Sequence, residues 1–405
     1  MKHRLLVVIE TLECAGAEKS LISFLSNLDF DYYSVDLQLF RHGGALQQYV
    51  PKQVNILSEF DYIKACKKSF SWRPDYAASR MIYSLLIRKR GGSNKRNARY
   101  HWLTSKNRFP VSENVYDTAV AYSHGLPTFY VAEKVVANKK IAWVNAIFNV
   151  DESEQLFLQP IYKKFDQVVG VSEEVKKSFL QNQLFQCINV NVFQDIVDVE
   201  MVRKLAQASA AFQRHEDLQL ITLGRLAKHK GFDRLLQTAA ILKDRGVRFH
   251  WLVLGDGPLR NELVHQLTQL KLHNLVEFAG VKVNPYPYLI QSDIYVQTSD
   301  VEGYGLAIAE ARTLGVPLVT TPFSAVGQQI IHQKNGIVST FEPEQLAEDI
   351  LFLYKNQSLY KKISAYQRAE LIGKSKRYSD TKKILLAPTE TEESSHEKKN
   401  PLCVN

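Results

Sequence analysis

The sequence predicts an α/β protein with two doubly wound domains, each a parallel sheet flanked by helices. The chain has 405 residues, of which 45% are hydrophobic, so it is long enough for two sizeable cores. Short apolar strands alternate with helical patterns in both halves, beginning at residues 5–9 and again at residues 218–223. This alternation is typical of parallel sheets with helical crossovers. We therefore expect two Rossmann-like domains that face each other across a cleft.

The first half supplies four of the predicted strands. Residues 5–9 precede a loop around Gly16, where the absence of a side chain lets the backbone approach a ligand closely. Residues 117–123 and 140–144 are the next two strands. Ser172 stands between a fourth strand and a helix, where its hydroxyl can cap that helix. Ligands of doubly wound folds bind outside the carboxyl ends of strands, so the loops after these strands are the expected binding elements.

Two cations follow the first strand of the second half. Arg225 lies at the end of that strand, and Lys230 lies in the loop before an amphipathic helix. The predicted apolar face of this helix comprises Phe232, Leu235, Leu236, Ala239 and Leu242. Arginine holds a phosphate through its planar fork and lysine as a mobile point charge, so the two can neutralise a diphosphate. Surface cations on an ordinary βα loop are the alternative interpretation.

A glycine-rich loop with two carboxylates lies further along the chain. Residues 291–299 predict a strand, Glu302 stands in the following loop, and Glu310 lies eight positions later in a predicted helix. The unpaired N–H groups and the dipole at a helix N-terminus attract anions. The flanking carboxylates are poor phosphate ligands but good acceptors for hydroxyl groups. The loop therefore predicts a ligand that carries both phosphate and sugar.

Glu302 to Glu310 resembles the paired-glutamate motif (E, seven residues, E) of the retaining, family 4 glycosyltransferases of GT-B fold. Residues 224–231 resemble the G-R-L-x-x-x-K-G signature of the same family, and the similarity is strong over residues 216–355. The resemblance implies transfer of a sugar from a nucleoside-diphosphate donor, a UDP-sugar, without a further cofactor or a metal. It assigns catalytic roles to Glu302, Arg225 and Lys230. It places donor-binding residues at Gly16, Asn145, Gly303, Tyr304, Gly305, Leu306 and Glu310.

Three residues bear on how far the resemblance carries. Ala15 stands where the family usually has glycine, and Asn145 stands where relatives commonly have a histidine that contacts the donor sugar. Asparagine cannot act as a general base, although it can hydrogen-bond a sugar hydroxyl. His124 is a candidate contact for the sugar or the acceptor, with a loop histidine near the surface as the alternative. A non-catalytic nucleotide-sugar or glycan-binding partner of another transferase stays open, as does a nucleotide-sugar epimerase of GT-B fold.

The resemblance also divides the chain. It implies an acceptor-binding domain over residues 1–197, a nucleotide-sugar domain over residues 198–370 and a crossover helix over residues 371–387. Residues 388–405 are polar without apolar periodicity, which predicts a disordered tail. The similarity to enzymes of bacterial capsule, exopolysaccharide and lipopolysaccharide biosynthesis implies a lipid-linked oligosaccharide or another glycan as the acceptor.

Positive charge is concentrated in one predicted insert. Residues 61–110 contain 13 Lys or Arg and two Asp, a net charge of +11, against +9 for the whole chain. Residues 77–90 predict an amphipathic or apolar helix with a cationic end. We expect the insert to bind an anionic membrane surface, to which each nearby cation adds about 1 kcal/mol. A solvated loop is the alternative; nucleic acid is not expected as a partner, because no nucleic-acid fold surrounds the patch.

The remaining features predict a cytoplasmic protein, held at the inner face of the cytoplasmic membrane where the insert binds lipid. The four cysteines have neither a C-x-x-C pattern nor metal-site spacing. No apolar run approaches the roughly 20 residues that a membrane span needs. Asp29 and Asp31 form a D-x-D pattern, but they lie between the first helix and the second strand rather than at a catalytic edge. No metal is therefore expected.

Overall fold

The computed structural model describes residues 1–67, 74–90, 94–208, 217–372 and 378–386. These residues form two compact units. The first consists of the described residues of Met1–Glu13, Ala17–Gln194 and Tyr378–Asn405, and the second of those of Cys14–Gly16 and Asp195–Arg377. Each unit is built on one parallel sheet with helices, which confirms the predicted fold class.

The first unit contains a seven-stranded parallel sheet of order β3-β2-β1-β4-β5-β6-β7. Its strands are β1 (His3–Ile9), β2 (Tyr33–Leu39), β3 (Asn55–Ile56), β4 (Val115–Ala121), β5 (Val136–Val144), β6 (Gln167–Gly170) and β7 (Val190–Val192). Its helices up to the end of the sheet are α1 (Gly16–Ser26), α2 (Asp61–Lys67), α3 (Pro74–Arg90), α4 (Asn94–Ser105), α5 (Leu126–Lys134), α6 (Glu152–Tyr162) and α7 (Glu173–Leu180). Short 3₁₀ turns occur at Gln47–Tyr49, Lys106–Arg108 and Gln183–Phe185.

The centre of this sheet lies at β1, which pairs with β2 on one side and with β4 on the other. The order of the strands therefore reverses at β1. Leu5, Val7 and Val8 of this strand have no exposed surface. Strands covered on both faces read as continuous apolar runs, which is why residues 5–9 could be predicted as a strand. The cap at Ser172 is also confirmed, because its hydroxyl accepts the Val175 N–H at 3.2 Å.

The second unit contains a six-stranded parallel sheet of order β10-β9-β8-β11-β12-β13. Its strands are β8 (Leu218–Leu223), β9 (Phe249–Leu254), β10 (Val276–Phe278), β11 (Ile294–Gln297), β12 (Leu318–Thr320) and β13 (Ile337–Val338). Its helices are α8 (Val199–Ala206), α9 (Phe232–Asp244), α10 (Arg260–Gln269), α11 (Tyr286–Gln291), α12 (Leu306–Leu314), α13 (Pro343–Lys355) and α14 (Gln357–Ile372), with 3₁₀ turns at Lys228–Lys230 and Val326–Gln328.

The core of the second unit contains the predicted apolar face of α9. All five residues of that face are buried against strands β8 and β9 and helix α13. The indole N–H of Trp251, which is fully buried in the same core, donates to the Thr222 hydroxyl at 3.0 Å. The polar atom of the largest side chain in this layer is thereby satisfied.

The last described helix, α15 (Tyr378–Leu386), belongs to the first unit. The Lys139 ammonium donates to the Ile384 carbonyl at 3.2 Å, and the Thr118 hydroxyl donates to the Leu385 carbonyl at 3.5 Å. These two donors satisfy carbonyl groups that the end of a helix leaves without intrahelical partners. The sequence predicted a crossover helix over residues 371–387; in the structure α14 ends at Ile372 and α15 covers Tyr378–Leu386, while residues 373–377 lie outside the described residues.

The basic insert of the first unit contains helices α2 to α4, and α4 is anchored to the domain. Arg99 lies 3.4 Å from the buried carboxylate of Glu154, and Lys106 lies 3.4 Å from Glu133. Trp102 is fully buried and donates its indole N–H to Glu133 at 3.3 Å. Arg99 and Lys106, which composition counts among the 13 cations, therefore neutralise carboxylates of the same unit. Lys68 and Arg73 lie outside the described residues, as does the predicted tail of residues 388–405.

Candidate active site

The site predicted in the second half lies at the carboxyl ends of β8 and β11, which are neighbours in the sheet. Arg225 follows β8 by two residues, and Glu302 stands in the loop between β11 and α12. Because parallel strands end at the same edge, residues far apart in sequence meet there.

An ion pair in the site joins Lys230 and Glu302. The lysine ammonium donates to both carboxylate oxygens, at 2.6 Å to Oε1 and 2.8 Å to Oε2. The two side chains retain 19% and 10% of their exposure, so the pair is accessible but largely removed from water. The motifs predicted separate roles for these two residues, and the structure brings them into one ion pair.

A buried relay of hydrogen bonds fixes Glu302 from the side of the strand. The Gln297 amide donates to Oε1 of Glu302 at 2.5 Å, and the Ser299 hydroxyl donates to the same oxygen at 2.6 Å. The Tyr295 hydroxyl in turn donates to the Gln297 carbonyl oxygen. Burial, followed by the charges of Glu302 and Glu310, raises the pKa of Tyr295, so it stays a neutral donor. Oε1 thus receives three donors, and Oε2 receives Lys230 alone among the described residues.

Lys230 reaches this position because Gly231 allows two loops to approach closely. Gly231 has φ of +62°, and a Cβ there would lie 2.1 Å from the Thr298 carbonyl oxygen. The Thr298 hydroxyl donates to the Lys230 carbonyl at 2.9 Å. Arg234 spans the same junction by donating to the Thr298 carbonyl at 2.6 Å and to Asp300 at 2.9 Å. These contacts fix the lysine backbone relative to the loop that carries Glu302.

Arg225 is exposed and makes no hydrogen bond or ion pair with the described part of the chain. Its backbone is nevertheless fixed. A Cβ on Gly255 would lie 1.9 Å from the Gly224 carbonyl oxygen, and a Cβ on Gly257 would lie 2.4 Å from that of Leu226. Gly255 and Gly257 therefore admit the segment that carries Arg225 and do not form a dinucleotide loop. The guanidinium is available for an anion.

The N-terminus of α12 is the third component of the site. Gly305 caps the helix with φ of +92°, a conformation that favours glycine. The Gln329 amide, itself 4% exposed, donates to the carbonyls of Tyr304 at 2.6 Å and Gly305 at 3.2 Å. Gly303 and Leu306 flank this turn and are partly exposed. Gln329 thus fixes the loop, and the first N–H groups of α12 have no intrahelical partners, as helix geometry requires.

Glu310 lies one turn into α12 and is only 3% exposed. Its Oε1 accepts the Tyr286 hydroxyl at 2.8 Å. The two glutamates of the motif therefore differ in setting, because Glu302 is paired with a cation and Glu310 with a phenol.

His229 stands beside the cations and carries a perturbed imidazole. Burial lowers its pKa, and the positive charges of Lys230 and Arg225 lower it further against the opposing effect of Glu302. Burial first, and the neighbouring cations second, thus favour the neutral form of this imidazole.

Two predicted donor-binding residues belong to the N-terminal half of the sequence. Gly16 begins α1, and a Cβ there would meet nothing within 4 Å, so the protein itself gives no steric reason for glycine. Asn145 directly follows β5 at the carboxyl edge of its sheet. Both polar atoms of its amide are inaccessible and have no partner among the described residues. A buried amide of this kind is a group that a ligand can satisfy.

His124 lies in an aromatic cluster. Its Nδ1 is 2.9 Å from the Tyr162 hydroxyl, and its ring is parallel to that of Tyr162 and perpendicular to that of Phe148. Tyr162 is fully buried, and burial raises its pKa. The structure thus places His124 in packing within the first unit.

The described residues contain no group of three or more His, Cys, Asp or Glu side chains that could hold a metal ion. Asp29 of the D-x-D pattern accepts the Asp31 N–H at 3.0 Å, which is a local turn before β2. Within the same described ranges, no helix has the length and hydropathy needed to cross a membrane.

Sequence reasoning missed the residues that position the motif. These residues hydrogen-bond to the motif residues or to the loops that carry them, and they belong to no family signature: Gln297, Ser299, Arg234, Gln329 and Tyr286. One signal was available: Gln297 is a polar residue in a strand that is otherwise apolar and buried, and a buried amide requires partners.

Two cations, two carboxylates and a helix N-terminus thus lie at one edge of a doubly wound sheet, which is the edge where α/β folds of this class bind ligands. Residues 206–370 match the family model described as glycosyl transferases group 1. The chain thus carries a glycosyltransferase group 1 domain, which confirms the resemblance identified from its motifs.

The relatives include proteins of polysaccharide biosynthesis. A putative colanic acid biosynthesis glycosyltransferase of Escherichia coli is 30% identical over 127 residues, which are 29% of this chain and 31% of that protein. An uncharacterized glycosyltransferase of Haemophilus influenzae is 26% identical over 303 residues, 72% of this chain and 79% of the relative. An amylovoran biosynthesis glycosyltransferase of Erwinia amylovora is 28% identical over 130 residues, 30% and 32% of the two chains. The match thus spans about a third of the first and third of these relatives.

The solved structures that resemble this chain have the GT-B fold. HepE of Anabaena, solved with UDP, superposes with a TM-score of 0.61 at 18% identity, covering 95% of this chain and 98% of that one. TarM of S. aureus, solved with UDP and alpha-GlcNAc-glycerol, gives 0.67 at 14% identity, with coverage of 96% and 100%. At these identities the likeness shows the fold alone, and the fold is GT-B.

Proposed function

We propose that this protein is a retaining glycosyltransferase that moves a hexose from a UDP-sugar to a glycan acceptor in bacterial surface polysaccharide biosynthesis. The observation that carries the proposal is the Lys230–Glu302 pair at one sheet edge, together with Arg225, which has no hydrogen bond or ion pair to the described residues. The nucleotide in the solved relatives HepE and TarM, which is UDP, supports the choice of nucleotide. The polysaccharide pathways of the related proteins support the choice of pathway.

Binding of the diphosphate uses three groups whose capacity is unused. Arg225 offers its planar fork, Lys230 retains one N–H beyond its two bonds to Glu302, and the start of α12 offers backbone N–H groups. Glu310 binds the ribose hydroxyls. Its carboxylate also accepts the Tyr286 hydroxyl, which holds the side chain in place.

The transferred sugar is oriented by Glu302. Its Oε1 is saturated by Lys230, Gln297 and Ser299, so the remaining acceptor capacity lies on Oε2. Carboxylate oxygens have about two lone-pair sites each, so Oε2 can accept a sugar hydroxyl while keeping Lys230. The carboxylate of Glu302 would thereby contact both the lysine that binds the diphosphate leaving group and the sugar that is transferred.

The chemical step breaks the bond between the anomeric carbon and the diphosphate oxygen, and forms a bond from that carbon to the acceptor hydroxyl oxygen on the same face. The acceptor proton passes to the departing diphosphate oxygen, so no protein base is required and Asn145 is compatible with activity. Arg225 and Lys230 offset the negative charge that develops on the diphosphate. Removal of one such preorganised group typically costs about 10²–10³ in rate.

The proposed acceptor is a lipid-linked glycan, which places the first unit beside an anionic membrane. Support comes from α3, where Met81, Ile82 and Leu85 are 66%, 50% and 47% exposed within the basic insert. Exposed apolar groups next to cations favour a lipid surface over water.

The membrane proposal is tested by flotation with vesicles of phosphatidylcholine, with and without phosphatidylglycerol. We expect flotation with the anionic vesicles only, and a loss of it in the Met81→Ser/Leu85→Ser variant. Val264→Ser, which removes an exposed apolar residue of α10, serves as the matched control. Equal flotation with both vesicle types, or with neither, contradicts the proposal.

The donor site is tested by saturation-transfer NMR with a panel of UDP- and GDP-sugars, followed for hours to detect free sugar. We expect selective binding and slow hydrolysis, both lost in Arg225→Ala. Arg245→Ala removes an arginine that pairs with Glu348 on the surface, and is expected to behave like the native protein. Absence of binding to every nucleotide sugar would refute the glycosyltransferase proposal. Binding of a nucleotide sugar without any release of free sugar would favour the non-catalytic partner.

A further inference from the structure

The two oxygens of the Glu302 carboxylate have different surroundings. Lys230 does not distinguish between them, because its ammonium lies 2.6 Å from Oε1 and 2.8 Å from Oε2. The difference comes from Gln297 and Ser299, which both donate to Oε1, at 2.5 Å and 2.6 Å. The hydrogen-bonding capacity of Oε1 is therefore used by the protein, whereas that of Oε2 is left for a ligand.

Gln297 and Ser299 also hold each other in place. The side-chain amide of Gln297 donates to the Ser299 hydroxyl oxygen at 2.7 Å, so these two residues and Glu302 form a closed triangle of hydrogen bonds. All three side chains are buried. Because water hardly reaches them, their hydrogen bonds are stronger than they would be at the surface.

Two further hydroxyl groups fix the triangle from outside. The Tyr295 hydroxyl, which is fully buried, donates to the amide oxygen of Gln297. In the opposite orientation of the amide, that oxygen would face the Glu302 carboxylate, and two acceptors would meet without a proton between them. The Thr321 hydroxyl, directly after β12, donates to the Ser299 carbonyl at 2.6 Å. Both donors to Oε1 are thereby held in one orientation.

The triangle limits how the carboxylate can turn. The last torsion of a glutamate side chain is broad, so its carboxylate group rotates easily when nothing holds it. A carboxylate paired with Lys230 alone could present either oxygen, because the ammonium reaches both. Gln297 and Ser299 remove this freedom by occupying Oε1. Oε2 is therefore an acceptor of fixed position, and it can take only a group that donates a hydrogen bond.

We propose that Gln297, Ser299 and Tyr295 are positioning residues that make the donor site selective for one hexose, an inference that rests on the proposed function. Epimeric hexoses differ in the direction of one hydroxyl group, so only one epimer places its hydroxyl on an acceptor of fixed position. The other epimer leaves a largely desolvated carboxylate oxygen without that hydrogen bond, and sites of this kind discriminate strongly. A carboxylate that was free to turn would follow the hydroxyl of either epimer.

The test measures, by calorimetry on the full chain, the affinity for UDP and for the UDP conjugates of glucose, galactose, mannose, N-acetylglucosamine and N-acetylgalactosamine. The preference is the ratio of the dissociation constants of the tightest UDP-hexose and its tightest-binding epimer. We expect a preference of about 10-fold or more in the native protein, and of about 3-fold or less in Gln297→Met and in Ser299→Ala. Tyr295→Phe, which removes no hydrogen bond to Glu302, should also lower the preference.

Matched controls come from the same unit. Gln219 is a buried glutamine of β8 whose amide donates to the Asp217 carbonyl, and Ser292 is a buried serine whose hydroxyl donates to the Tyr288 carbonyl. Gln219→Met and Ser292→Ala should keep the native preference. A ratio of two dissociation constants does not depend on the fraction of folded protein, so it separates positioning of Glu302 from a general loss of structure.

The outcomes separate this inference from the proposed function. A native protein that binds UDP and UDP-hexoses without distinguishing epimers overturns the selectivity role and leaves the glycosyltransferase proposal standing. A native preference that survives in both Gln297→Met and Ser299→Ala does the same, even if every affinity falls in parallel. Absence of binding of UDP and of every UDP-hexose by the native protein defeats the proposed function, and this inference with it.

Discussion

Replacing Gln297 by leucine tests the relay that holds Glu302. The substitution removes the hydrogen bond that the Gln297 side-chain amide donates to Glu302, and it removes the acceptor of the Tyr295 hydroxyl. Both groups are buried. A hydrogen bond to a charged group contributes about 1.5–3 kcal/mol, and an orphaned buried donor costs about 1–3 kcal/mol. The lower parts of these ranges together give about 3 kcal/mol of lost local stability. That loss corresponds to roughly a 100-fold fall in hydrogen-exchange protection.

The measurement is native-state hydrogen exchange on the full chain. We expect the amide of Val296 in β11 to lose protection about 100-fold, while that of Val7 in β1 is unchanged and serves as the internal control. The double variant Gln297→Leu/Tyr295→Phe removes both partners, so it should regain about 1–2 kcal/mol relative to Gln297→Leu alone. Strictly additive effects of the two substitutions would refute the relay, because they would show that the hydroxyl and the amide are not coupled.

Three further predictions concern the loops and the insert. Gly231→Ala should lower the free energy of unfolding by about 3 kcal/mol or more, because its Cβ would meet a carbonyl oxygen at 2.1 Å. Gly246→Ala, at φ of +71° with open space around it, should lower it by only about 1 kcal/mol. Equal losses for the two variants in urea titrations would show that the close approach at Gly231 is unimportant. Burial lowers the pKa of His101 to about 4 in the folded protein, so below pH 6.5 the unfolded chain binds a proton at this residue that the folded chain does not. The free energy of unfolding should therefore fall by up to about 3 kcal/mol between pH 6.5 and pH 4. Thermal scans of His101→Gln should lack this part of the pH dependence. Lys230→Met should weaken UDP binding at least 10-fold in calorimetry, whereas Lys243→Met, which breaks a surface ion pair, should leave the affinity unchanged. Similar affinities for the two variants would show that Lys230 does not bind the donor.

The fold could be predicted because its determinants are local in sequence. Strands such as β1 and β8 are covered on both faces, so they appear as uninterrupted apolar runs, and α9 shows its buried face at helical spacing. The family motifs then identified the loops at the strand ends. These features need no knowledge of which strands are neighbours.

The site could be predicted only as far as its motif residues. The contact of Lys230 with Glu302 joins residues 72 positions apart, and it depends on β8 and β11 being adjacent and on Gly231 admitting the loop. The contribution of Gln297 depends on its partners rather than on its type. In the basic insert, composition alone predicted too much free positive charge. Arg99 and Lys106 contribute to the net charge of the insert, but they pair with buried or half-buried carboxylates.

The position of α15 has a consequence for synthesis on the ribosome. This helix lies against β4 and β5 through Thr118 and Lys139, yet about 240 residues separate the end of β5 from Leu386. At about 5–20 residues per second, the two strands wait roughly 10–50 s for the helix that completes their layer. Asp195 to Ile372 form a continuous stretch that can fold in the meantime. The first unit to emerge is thus the last to be finished, and a nascent chain stalled before Tyr378 would present an uncovered sheet to the chaperones that meet it.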